Sequence, residues 1–217
     1  MLPLLLALVL TQSANDLYSQ GIQAGTQYRY AYNSYVQSKN QFLQYRTGST
    51  RLTAISSTNF VLSARNNWQI TYLKYLRQVL ADTTNIANYN QTVTYLDLET
   101  EINTLEGQKD ALSSSDSFEK VNSASKIWEL RLTNSDKLIS TAKSQITQAR
   151  LGYLQHRLQE SLDQFNATHA SPSANLVSTI NLIDAKIQAS STATDPEQSK
   201  KLLSDGAKLL LEIYVQP

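Results

Sequence analysis

The chain has 217 residues, enough for one core of ordinary size, with 19 Lys+Arg against 18 Asp+Glu and no cysteine. That balance provides no net field to draw in nucleic acid, and the densest basic run is Lys200-Lys201. The missing cysteine excludes disulfides, thiolate nucleophiles, iron–sulfur clusters and Cys-based zinc sites.

Leu2 to Leu10 (LPLLLALVL) is an apolar run too short for the about 20 residues of a bilayer-spanning helix. It reads as the apolar region of an export signal. Thr11 and Ser13 stand at the spacing of the −3 and −1 positions of a cleavage site, with the cut after Ser13 or after Ala14. The usual preceding positive charge is missing, since the first base is Arg29, and the competing reading is an apolar helix end buried in the fold. No later segment approaches 18 uninterrupted apolar residues, so no membrane span is expected after signal removal. The expected location is extracytoplasmic: secreted, at a cell surface, or in a periplasm.

After residues 1–13, one all-helical domain is expected over 14–217. Tyr28, Tyr30 and Tyr32 alternate as in a strand, but Leu17, Gly21, Ala24, Tyr28, Tyr32, Tyr35 and Phe42 step by three, four or seven. The longer pattern predicts a helix over about 14–46, with Tyr28, Tyr32 and Tyr35 inward and Tyr30 opposite. Gly48 is the expected stop and Ser49 or Thr50 the next cap. Two neighbouring apolar rows follow: Leu52, Ile55, Leu62, Leu73, Leu76 and Leu80, then Val61, Ala64, Trp68, Tyr72, Tyr75 and Val79. That width suits a helix with bundle neighbours on two sides better than a two-stranded coiled coil. Propensity sags over residues 82–94, yet Ile86, Tyr89, Val93 and Leu96 keep the helical step without Gly or Pro, so the second helix is expected to run on to about Glu106.

Asp116 with Glu119 predicts the start of a third helix over about 117–168. Its inward row begins Val121, Ala124, Trp128, Leu132, Ser135, and it stops near Pro172. Leu176, Ile180, Ile183 and Ile187 mark a helix over about 173–190. TDPE then opens another over about 195–215, with Thr194 or Asp195 as cap and Pro196 in the first turn. The fold class is therefore all-α: an elongated, mostly antiparallel helical bundle of three long helices and a shorter C-terminal pair.

No catalytic, cofactor-binding or metal residue is assigned. His156 and Glu160 share a helical face, but a metal site needs three or four ligands and His169 falls in a loop. Asp97, Glu99 and Glu101 read as a solvated helix face, not as the paired walls of a cleft. Phosphate-cradling glycine motifs and the G-x-S-x-G elbow are absent. Gly21 and Gly25 mark a thin place where a neighbouring helix packs closely. The sequons at Asn90 and Asn166 matter only in a glycosylating pathway.

Trp68, Tyr72, Tyr75, Lys74 and Arg77 make the candidate interaction face, since aromatics beside a cation are frequent in interface hot spots; the ordinary reading makes the three rings core residues. The leading function is an exported, non-catalytic scaffold, spacer or protein-binding module. A protein partner or self-association is expected, with no nucleic acid and no cofactor. An extracytoplasmic ligand-sensing bundle is the alternative, against which no second span precedes Pro217 to carry a signal inward. A hydrolase without a recognisable motif ranks last.

Overall fold

Residues 13–113, 115–168 and 173–215 are described in the computed structural model. Among them lie seven helices and no strand: α1 (Ala14–Tyr45), α2 (Gly48–Asp82), α3 (Asn88–Gly107), α4 (Lys109–Ser113), α5 (Phe118–Thr168), α6 (Ala174–Thr192) and α7 (Pro196–Val215). The protein is an all-α helical bundle. Leu2–Leu10, His169 and Pro172 lie outside the described residues.

Ser13 opens α1, its Oγ accepting from the Asp16 N–H at 3.2 Å and its carbonyl from the Leu17 N–H. Arg46 closes it in the left-handed region (φ 48°), returning its N–H to the Phe42 carbonyl. Thr47 then caps α2, accepting from the Thr50 N–H at 3.2 Å. The turn is thus built by Arg46 and Thr47. Gly48, expected as the stop, sits inside the first turn of α2, and neither Ser49 nor Thr50 is the cap.

The helix expected to run unbroken to Glu106 is two helices. α2 ends at Asp82 and α3 starts at Asn88, with Asn85 between them at φ 66°, a conformation asparagine tolerates better than most residues. Gln91 Nε2 donates to the Leu80 carbonyl at 2.6 Å, satisfying an acceptor that the end of α2 leaves open. The break resets the helical phase. Tyr89, Val93 and Leu96, read as the inward row, are exposed, and α3 buries Thr94, Leu98, Glu101, Ile102 and Leu105 instead.

A further short helix, α4, precedes α5. Ser117 caps α5, accepting from the Lys120 N–H at 3.3 Å, so Asp116 is not the cap; its carboxylate pairs with Lys120 at 2.9 Å. At α7 the sequence signal holds: Asp195 Oδ1 accepts from the Glu197 N–H at 3.1 Å, and Pro196 is the first helical residue.

The chain divides into two compact units, and the division falls inside α5, after Ala142. The first takes residues up to Asp82 with Tyr89–Ala142. Ring pairs Tyr18–Tyr75, Tyr28–Trp68 and Tyr30–Phe60 show α1 and α2 running antiparallel through it. Ile55 and Leu62 of α2 pack with Leu112 of α4 and with Val121 and Trp128 of α5. The second unit takes Thr83–Asn88 and the residues from Lys143 onward. Its core is Leu158, Leu162 and Phe165 of α5 with Ile183, Ile187, Leu203, Leu210 and Ile213 of the antiparallel pair α6 and α7. Gly206 lets these helices meet, since a Cβ there would stand 3.1 Å from Leu158 Cδ2.

Candidate functional site

The inner face of α1 follows a seven-residue repeat whose buried positions are small after Leu17. Leu17, Ala24, Ala31 and Ser38 are buried, with Gly21, Tyr28, Tyr35 and Phe42 beside them at the alternate positions. Small residues bring α2 close. Tyr32, expected on this row, is instead about half exposed, because Ala31 takes the inward position.

Trp68 of α2 lies over Gly25: a Cβ there would come within 3.2 Å of the indole Nε1. The indole then stacks on Tyr28, centroids 5.6 Å apart and planes 7° from parallel. Tyr18 meets Tyr75 at 5.6 Å, and Tyr72 meets Tyr75 at 6.3 Å. These rings enclose a groove of about 440 Å³, lined on the α1 side by Leu17, Tyr18, Gly21, Ile22, Gly25, Tyr28 and Arg29 and on the α2 side by Trp68, Tyr72 and Tyr75. Trp68 keeps 41% of its surface exposed, and Tyr18 and Ile22 more than half. Apolar surface left in water in this way is where a partner gains most by covering it.

Three residues of the candidate face, Trp68, Tyr72 and Tyr75, therefore come together. Lys74 and Arg77 do not join them. Lys74 Nζ bonds Glu106 at 2.6 Å and Arg77 pairs with Glu99, both on α3, with the Arg77 guanidinium 5.5 Å from the Tyr95 ring. The hydrogen bond from Lys74 holds the Glu106 carboxyl below its ordinary value of 4.5. Sequence reasoning missed Tyr18, Ile22 and Arg29 as groove residues, and the Gly21-to-Gly25 spacing was the signal that points to them.

The acidic trio of α3 is not one solvated face. Glu101 is 3% exposed and accepts from Ser135 Oγ at 2.6 Å and from Asn134 Nδ2 at 3.1 Å, with Arg131 Nη1 3.6 Å away. All three partners come from α5. Burying a carboxylate without such partners is costly, so these contacts fix which turn of α5 faces α3.

A larger groove of about 550 Å³ is lined by Ile55, Asn59, Phe60, Ser63, Ser115 and Asp116, among others, and no histidine stands on its walls to activate a hydroxyl. His156 and Glu160 form an exposed pair at 3.2 Å. Among the described residues no three His, Asp or Glu side chains converge as metal ligands, and no helix is long and apolar enough to cross a membrane. Ser13, at the expected cleavage point, is the α1 cap, so a cut after Ser13 or Ala14 removes that cap. No family model, curated protein or solved structure matches this chain.

Proposed function

We propose that the protein is an exported, non-catalytic helical module that binds a protein partner in the aromatic groove between α1 and α2. The ring system of exposed Tyr18 and Trp68 with half-buried Tyr72 and Tyr75 over a glycine floor is the observation that carries the reading. Aromatic side chains give large contact area at little entropic cost, and binding hot spots are made of them. The apolar run Leu2–Leu10 supports export. Installing the photo-crosslinker benzoylphenylalanine at position 72 in the native host tests the groove. The reading expects one dominant crosslinked protein, lost on Trp68→Ala, whereas the same crosslinks surviving that change would overturn it. N-terminal sequencing tests export, which requires a mature start at Ala14 or Asn15 and fails on an intact Met1.

A second reading takes support from the groove's volume, which lies in the range of small-molecule sites. A ligand sensor of this kind requires melting to shift with a small apolar ligand in place of a crosslinked protein.

A further inference from the structure

The hairpin α1–α2 carries seven Lys+Arg against two Asp+Glu over residues 14–82, a net charge of +5, while the whole chain stands at +1. Part of that charge is neutralised or stacked within the first unit: Lys74 and Arg77 on the acids of α3, Arg65 with its guanidinium 3.8 Å from the Trp128 ring centroid, Arg51 over Phe118. Arg29 and Lys39 stand exposed on α1, and among the described residues neither pairs with a carboxylate; Lys39 Nζ lies 5.9 Å from the Tyr35 ring centroid and Arg29 donates to Thr26 Oγ1 at 3.4 Å.

These two cations stand in a second seven-residue repeat, one position on from the row that α2 covers. Tyr18, Ile22, Gly25, Arg29, Tyr32, Val36, Lys39 and Leu43 step by four and three without a fault, and all but Gly25 are exposed. The groove is the first half of this row. Tyr18 to Leu43 spans roughly 38 Å of helix at about 1.5 Å per residue, a length and period that match another helix and no other regular element.

We infer, building on the groove reading above, that the partner presents an amphipathic α-helix whose apolar stripe is flanked by Asp or Glu and lies along this second row. Charge complementarity selects the occupant. A second copy offers no carboxylate along this row: packed parallel it sets Arg29 and Lys39 against the same two cations, and packed antiparallel against Tyr32 and Ile22, whereas acidic residues beside the partner's stripe give each cation a partner.

The test uses the mature protein and two synthetic 28-residue helical peptides, identical in their Leu/Ile stripe, one flanked by Glu and one by Lys. Labelled-peptide anisotropy should show the Glu peptide binding about tenfold tighter or better. Arg29→Glu with Lys39→Glu, both at exposed positions, should invert the preference, and Val36→Ala should weaken both peptides. Equal binding, no binding, or a preference unmoved by the charge swap overturns the inference. So does a micromolar dimer that Val36→Glu dissolves, or tighter binding to anionic phosphatidylglycerol vesicles than to the Glu peptide. If the peptides fail while the crosslink at position 72 still depends on Trp68, the acidic helix falls and the groove stands; if both fail, both readings fall.

Discussion

The two units differ in what fills their interiors and in how many aromatic rings they leave in water. Beyond Lys143, the core is aliphatic with one aromatic, Phe165, against which the Tyr214 ring packs edge-on at 5.0 Å. In the first unit the interior holds Asn66, Glu101 and Ser135, while Tyr18, Tyr30, Tyr32, Phe60 and Trp68 face outward. A fold under selection for stability alone would exchange those two sets, because burying an aromatic gains what exposing it forfeits. Polar groups inside tie α3 to α5, and on the function proposed above the rings outside are the recognition surface, with the second unit supplying cohesion.

Phe165→Ala attacks the cohesive unit where it is driest and should cost about 3 to 5 kcal/mol in urea denaturation. A loss under about 1 kcal/mol would erase the contrast. Glu101→Ala removes the shared acceptor of Ser135 and Asn134 and should cost about 2 to 3 kcal/mol, with hydrogen exchange rising in α3 and the first half of α5. No change there would mean that the polar interior contributes nothing to register. Gly21→Ala separates stability from recognition: nothing lies within 4 Å of the new Cβ, so helix propensity should raise stability by about 0.5 to 1 kcal/mol while the methyl shallows the groove floor and weakens the partner. Stabilisation with unchanged partner affinity would move the contact away from this floor.

The smallest effect concerns Glu106. Its folded pKa is depressed by Lys74, so the contribution is fully present above about pH 4.5 and is lost as pH falls through the lower folded value. Both groups are over a third exposed, which holds the effect under about 1 kcal/mol. Lys74→Met should flatten this acid-side slope in stability measured from pH 6 to 3.

Much of this helical order is legible because the apolar period is local. The rows Val121, Ala124, Trp128 and Ile183, Ile187 follow from spacing alone, as does the Asp195-Pro196 start. The break at residues 83–87 was not legible, since neither Gly nor Pro marks it and the chain turns on one asparagine in a left-handed conformation. That single miss displaced the α3 row and hid the burial of Glu101, whose partners lie more than 30 residues away in sequence. In the candidate face, the rings were recognised from spacing, but Lys74 and Arg77 were assigned to them because acids on α3 cannot be placed from one helix's pattern.

The most direct test of the contrast compares two exposed-site variants in the native host, Ile22→Glu in the groove and Leu211→Glu on α7, each assayed for the partner complex and for melting temperature. The account predicts that Ile22→Glu abolishes the complex with melting shifted by less than about 2 °C, and that Leu211→Glu leaves the complex intact. A complex that survives Ile22→Glu and fails with Leu211→Glu would contradict it, and would place recognition in the second unit.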